Sequence, residues 1–265
     1  MPNRPTSFDP QAETYDQRAG LPEAHCQVIA QAVRQLAAAT PGDLIVEVGA
    51  GSGLLGAWLA RPPLRYVGID RSRRMLTVFH KRVSSASQRT LLLQADGDAP
   101  WPLADAAVRV IFSSRALHWL DPAHVVYETC RVARRDGASL IIGRIRRAAD
   151  SLSTTMQQAM RRLLGQHGFS IRAGEAHQRH LLTTFQRRGA TVMKPVDVVR
   201  WTVKRTPGQS IEDWQSKPGL AGLDVPSETK DAILDELRRW AQTTFGDLRR
   251  TVASEETYVL QGIHL

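Results

Sequence analysis

With 265 residues, 42% of them hydrophobic, this chain is long and apolar enough for one large α/β domain with an inserted lobe, which excludes a disordered polypeptide. No apolar run approaches the roughly 20 residues of a membrane span, and the polar N-terminus lacks the apolar core of a signal peptide, so a cytoplasmic protein is expected. The net charge of +9 raises nucleic acid as a partner, but no stretch interleaves basic and aromatic residues as a base-stacking platform would, so none is expected.

Prolines at positions 2, 5 and 10 oppose helix at the extreme N-terminus, and Pro22 suits the first turn of a helix. Val28, Ile29, Ala32, Val33 and Leu36 hold helical spacing until Pro41-Gly42 stops it. Leu44 to Val48 is an apolar run with one acid, Glu47, and glycines follow at alternate positions 49, 51 and 53. Leu54, Leu55, Trp58 and Leu59 then begin a helix. This predicts a buried strand, a tight glycine turn and a helix N-terminus, a loop that can hold a nucleotide-like group against backbone N–H donors. A structural tight turn is the alternative.

A second strand, Tyr66 to Ile69, closes on Asp70, and Arg71 to Val83 follows as a helix. Thr90 to Leu93 leads to Ala95-Asp96-Gly97, and Val108 to Ser113 leads to Ser114-Arg115-Ala116-Leu117-His118-Trp119-Leu120. Asp121-Pro122 fits the N-cap and first turn of a helix over 123–133. A fifth strand covers Ser139 to Gly143. Strands alternating with helices imply a mainly parallel sheet with helices on both faces, whose ligands bind outside the carboxyl ends of the strands. Gly49, Asp70, Asp96 and Ser113 all fall at those ends.

The alternation stops after Gly143. Helices are expected over 151–164 and 174–186 in a segment with nine arginines against two acids between Arg144 and Arg188. Val192 to Val203 reads as strand, Ser227 can cap a helix bearing Ile233, Leu234, Leu237 and Trp240, and Thr257 to Ile263 suits a last strand. The domain organisation expected is an N-terminal helical lid (1–40), a core (41–144 and 190–265) and a helical cap insertion (145–189). Cys26 and Cys130 have no metal-ligand spacing, and His167, His177 and His180 are irregularly placed, so no metal is expected. Buried free thiols in a reducing compartment are the plain reading of the two cysteines.

The ordered set Glu47-x-Gly49-x-Gly51-x-Gly53, Asp70, Asp96 and Ser-Ser-Arg-Ala-Leu-His-Trp-Leu resembles class I S-adenosylmethionine-dependent methyltransferases. It is most similar to the branch with ubiquinone-biosynthesis, trans-aconitate and natural-product enzymes. The resemblance covers Phe8 to Gly143. It implies a Rossmann-like, mainly parallel seven-stranded sheet with an antiparallel last strand, and S-adenosylmethionine as cofactor. It places Glu47, Gly49, Ala50, Gly51, Gly53, Asp70, Arg71, Asp96, Gly97, Ser113 and Ser114 at the cofactor. Asp70 would accept from the ribose hydroxyls and Asp96 from the adenine amino group. Each acid also has a structural reading: Glu47 bonded to nearby amides, Asp70 a helix cap, Asp96 a turn residue.

His118 is a candidate general base, with packing as its alternative. Tyr15 resembles a tyrosine of the family's N-terminal element that folds over the site, which makes it a candidate catalytic residue, with a surface helix aromatic as the alternative. Arg109 stands where the family often has Asp, and an edge position or a salt bridge is expected for it. The absence of Asn/Asp-Pro-Pro-Tyr after the fourth strand argues against methylation of amino groups on adenine, cytosine or glutamine. The expected activity is methyl transfer to a small-molecule acceptor, with Arg144 or Arg146, which leave the fifth strand at the ligand edge, holding an anionic group; a solvated basic face is the alternative reading of these arginines. The alternatives are an RNA or protein methyltransferase and a non-catalytic protein that binds S-adenosylmethionine.

Overall fold

The computed structural model describes residues 9, 12–18, 20–83, 90–170, 174–217 and 219–265, and the segment 1–8 of the expected lid lies outside them. The chain divides into two compact units. Ser7–Ile145, Gly174–Val199 and Tyr258–Leu265 form the first, and Arg146–Ala173 with Arg200–Thr257 belong to the second.

In the first unit, β1 (Leu44–Val48) has β-branched residues on both faces and is buried along most of its length, as a central parallel strand requires. It pairs in parallel with β2 (Arg65–Asp70) on one side and β4 (Val110–Ser114) on the other; Glu47 stands opposite both Gly68 and Phe112. β3 (Thr90–Gln94) extends the sheet beyond β2, with Gln94 opposite Asp70. β5 (Ser139–Arg147) pairs with β4. With β6 (Thr191–Val192), β7 (Val196–Arg205) and β8 (Val252–His264), the described strands form one eight-stranded sheet in the order β3-β2-β1-β4-β5-β8-β6, with β7 paired to β8. β6 runs antiparallel to β8. Leu265 N donates to Ala138 O, and Gly143 lies against Tyr258, so β8 also opposes β5.

Helices cover this sheet through apolar stripes. α2 (Cys26–Leu36) buries Cys26, Ile29, Ala30 and Val33 at helical spacing. α1 is one turn, Tyr15–Arg18. α3 (Gly56–Leu59) is shorter than expected, and Arg34 closes its end by donating to the carbonyls of Trp58 and Leu59 at 2.8 and 3.2 Å. α4 (Arg73–Val83) buries Met75, Leu76 and Phe79. α5 (Pro122–Val132) starts as its sequence predicts: Asp121 accepts from His124 N at 2.9 Å, and Pro122 occupies the first turn.

Several expectations change. The sheet has eight strands rather than seven, because the stretch read as one strand splits into β6 and β7 (Val196–Arg205). β5 continues to Arg147, so Arg144, Arg146 and Arg147 lie within a strand rather than after it. α7 (Gly174–Arg187) belongs to the sheet unit rather than to an inserted cap, because Leu181 and Phe185 are buried in the core formed with Val125, Leu140 and Ile263. Cys26 is buried as expected, but Cys130 is exposed on α5. Arg109 takes the expected ionic role, with Nε 4.0 Å from Asp43.

The second unit has its own core. α6 (Leu152–Gln166), α8 (Pro207–Gln215) and α9 (Ser227–Phe245) bury Met156, Met160, Ile211, Leu234 and Leu237 together. Ser151 caps α6. α8 has a capping box, Thr206 with Gln209. Arg147 donates to the buried carboxylate of Glu256 at 2.6 Å. No described helix is long and apolar enough to cross a membrane.

Candidate active site

The glycine loop leaves β1 and turns at once. Gly49 and Ala50 both donate to Ile69 O, at 2.8 and 3.0 Å, which pins the loop to the end of β2. Gly49, Gly51 and Gly53 all have positive φ, at 76°, 55° and 78°. Their missing side chains do different work. A Cβ on Gly49 would fall 2.2 Å from the Cβ of Ala116, and one on Gly53 would fall 2.1 Å from the Phe79 ring. A Cβ on Gly51 would meet nothing within 4 Å. Gly49 and Gly53 therefore serve packing, whereas Gly51 opens onto free space.

Asp70 ties this loop to the second strand. Its Oδ2 accepts from Gly51 N and its Oδ1 from Ser72 N, each at 2.8 Å. Burial raises its pKa, opposed by those two amide bonds. Each oxygen keeps a lone pair for a further donor, as two ribose hydroxyls require.

Asp70, Gly49, Ala50 and Gly51 line one cavity of about 650 Å³, part of it open to solvent. Glu47, Ser114 and Tyr15 line it too. Of the residues expected at the cofactor or in catalysis, seven therefore meet in one place. Glu47 is buried, and its Oε2 accepts from the Tyr66 hydroxyl at 2.5 Å. Burial, opposed by that bond, pushes its carboxyl up to about 8. A carboxyl raised above its unfolded value stabilises the fold fully below about pH 4.5, and loses that contribution as pH rises toward about 8. Glu47→Gln keeps an oxygen for Tyr66. It is expected to melt like wild type near pH 4.5 and to be the more stable protein at pH 8. Thermal melts at both values check this, and equal melts at pH 8 would contradict it.

The other expected residues lie elsewhere. Gly53 sits beneath the loop against Phe79. Ser113 is buried in the sheet, donating to Val48 O at 2.8 Å. Arg71 is exposed. Asp96 is exposed and accepts from Asp98 N at 3.1 Å, a turn bond, and Gly97 accepts from Trp101 Nε1 at 3.1 Å; neither is on the cavity wall. His118 is also off the wall, with its ring 4.7 Å from that of Trp119, which is on it. Burial pushes the His118 pKa down to about 4, helped by the nearby His177 and Arg115. A base that weak is poorly matched to proton abstraction near neutral pH. Arg144 is half-buried within β5 and Arg146 is exposed, both off the cavity wall.

The sequence reading missed Arg115 as a wall residue, together with Ser52, Met75 and Leu54. Arg115 has φ +59°, a left-handed conformation uncommon for a residue with a Cβ. Its guanidinium stands 6.0 Å from the Tyr15 ring centroid. The N-terminal segment is held down beside it: Asp16 accepts from Ser52 Oγ at 2.5 Å and pairs with Arg82. Across β4, Ser114 shares a 2.7 Å hydrogen bond with Tyr258, whose hydroxyl occupies the space a side chain at Gly143 would need.

Residues 46–141 match the family model Methyltransf_11, described as Methyltransferase domain. Residues 46–141 of this chain carry a methyltransferase domain. Malonyl-[acyl-carrier protein] O-methyltransferase of Xylella fastidiosa is 30% identical over 138 residues, 51% of this chain and 45% of that protein. The chain thus spans about half the length of that curated relative. Among solved structures, the [4+2]-cyclase SpnF superposes with a TM-score of 0.60 at 16% identity, covering 100% of this chain and 97% of that one. Geranyl diphosphate C-methyltransferase from Streptomyces coelicolor A3(2), solved with S-adenosyl-L-homocysteine, gives 0.52 at 12%, covering 97% and 83%. At these identities the structures establish the fold. S-adenosylmethionine is the cofactor of such a domain, and the cavity fits it: the open face of Gly51 admits a ligand to the backbone, and the Asp70 carboxylate stands on the same wall.

Proposed function

We propose that this protein transfers the methyl group of S-adenosylmethionine to a carboxylate oxygen of a small-molecule or carrier-bound acid. The observation that carries methyl transfer is the Gly51–Asp70 cradle in a cavity walled by Tyr15. When bound, the cofactor supplies a methyl group on a positively charged sulfur. The chain's part is then to align the acceptor and exclude water, and alignment alone can remove many kcal/mol from the barrier. Tyr15, on the N-terminal segment held by Asp16, supports that closure.

Three features support a carboxylate acceptor. No strong base is poised on the described wall: Glu47 is neutral at pH 7, and His118 is weakly basic and off the wall. An acceptor that is already ionised needs no base. The relative from Xylella fastidiosa is named for O-methylation of malonyl-[acyl-carrier protein], and a malonyl thioester ends in a free carboxylate. Arg144, itself off the cavity wall, follows Gly143, the register partner of the wall residue Ser114, and its Nε is buried without a hydrogen-bond partner among the described residues. In this reading Arg144 anchors the acid through a bidentate pair. Arg146, exposed to solvent, does not share that role.

Arg144→Ala is expected to lower kcat/KM for a malonyl thioester about 30-fold, corresponding to about 2 kcal/mol of lost ion pairing. Affinity for S-adenosylhomocysteine should stay at the wild-type value. Unchanged kcat/KM in Arg144→Ala would remove the anchor from the account.

A further inference from the structure

Arg115 and Asp70 stand on opposite sides of the central strand. Asp70 ends β2 and Arg115 follows β4, and β1 lies between those two strands. One cavity is lined by both residues, with Glu47 and Gly49 between them in the sheet order. The left-handed backbone at Arg115 is held by its N–H, which donates to Gly143 O at 3.1 Å. Such a conformation is uncommon away from glycine and clusters where a side chain must be aimed. The positive charge of Arg115 acts on Glu47, His118 and Tyr258, and its guanidinium stands near the Tyr15 ring, so the charge belongs to the cavity wall itself.

If the ribose meets Asp70, a 5′ substituent reaching across β1 would come to the β4 side of the same cavity, where Arg115 stands. In S-adenosylmethionine and S-adenosylhomocysteine that substituent is an amino-acid chain with one anion, its carboxylate. We propose that Arg115 binds this carboxylate, as a guanidinium that matches its two oxygens. The pairing has a second consequence. A guanidinium paired with the carboxylate of the same molecule repels its sulfonium less than the cation alone would. Glu47, uncharged at neutral pH, does not compete strongly for the cation. This assignment rests on the proposed use of S-adenosylmethionine and names the residue that recognises its amino-acid end.

The test compares two ligands by calorimetry: S-adenosylhomocysteine, and 5′-methylthioadenosine, which keeps the nucleoside and thioether but lacks the amino acid. Wild type, Arg115→Ala and Arg115→Lys are titrated with each, after thermal melts establish that all three are folded. Arg115→Ala should bind S-adenosylhomocysteine about 30-fold more weakly, the size expected for a charge-assisted pair. Its affinity for 5′-methylthioadenosine should stay within about twofold of wild type, and Arg115→Lys should fall between. Unchanged S-adenosylhomocysteine affinity in Arg115→Ala overturns the proposal, as does an equal loss for both ligands, which would make Arg115 a prop for the cavity. If wild type itself binds neither ligand, the cofactor reading fails, a result distinct from a failure to discriminate between them.

Discussion

Asp70→Ala is expected to weaken binding of S-adenosylhomocysteine about 100-fold. Asp70 is the only acid among the described residues that both lines the cavity and bonds the glycine loop, through Gly51 N, while its other oxygen accepts from Ser72 N. Those bonds fix the carboxylate while leaving a lone pair on each oxygen toward a donor. Hydrogen bonds to a charged group contribute about 1.5–3 kcal/mol each. Losing two of them, with the loop's anchor, removes about 3 kcal/mol, or roughly two decades of affinity. Asp70→Asn should lose less, because it keeps one acceptor. Burial raises the Asp70 pKa above 3.8, so affinity should begin to fall on acidification at a higher pH than an exposed aspartate would give. Calorimetric titration at several pH values measures both effects. Wild-type affinity in Asp70→Ala would show that the ribose lies elsewhere.

Gly53→Ala is expected to damage stability most among the loop glycines. Its φ of +78° and a Cβ only 2.1 Å from the Phe79 ring impose two separate costs. The left-handed backbone costs about 1–2 kcal/mol and overpacking about 1–3 kcal/mol. Phe79 cannot swing away freely: it is fully buried and meets Tyr66 edge-on at 5.7 Å, and Tyr66 in turn holds Glu47. A loss of about 3 kcal/mol should lower the melting temperature by about 8 °C for a chain of this size. Gly51→Ala should behave in the opposite way. With nothing within 4 Å, it costs about 1 kcal/mol of backbone strain but intrudes on the cavity, so it should melt nearly normally and bind S-adenosylhomocysteine poorly. Equal melting temperatures for the two variants would contradict this division of labour.

The contrast between these glycines shows how far the sequence could be read. The strand, turn and helix around Gly49, Gly51 and Gly53 were legible because buried strands and glycine turns are written in consecutive residues. So was Asp70, which ends an apolar run. What separates Gly51 from Gly53 is Phe79, brought in by α4, and no local pattern contains that contact. Glu47 was recognised as a site acid, but its partner Tyr66 comes from the adjacent strand at a register fixed only by the folded sheet. Ser113 follows the alternation of its strand and points its hydroxyl to Val48 rather than to the cavity, while the reversal of backbone hand at Arg115 brings the next charged residue into the wall. α7 lies in the arginine-rich segment, and the short stripe of Leu181 and Phe185 that joins it to the sheet unit's core names no partner in the sequence itself. α8 was not foreseen at all, although its capping box of Thr206 and Gln209 was present in the sequence.

The central claim is methyl transfer to a carboxylate oxygen, and methyl-labelled S-adenosylmethionine tests it directly. The purified protein is incubated with the labelled cofactor and a malonyl thioester, and the product is treated with mild base. The account predicts label in an ester that base releases as methanol, abolished or strongly reduced in Asp70→Ala. Label in a base-stable product, or no transfer by a protein that binds S-adenosylhomocysteine, would contradict it.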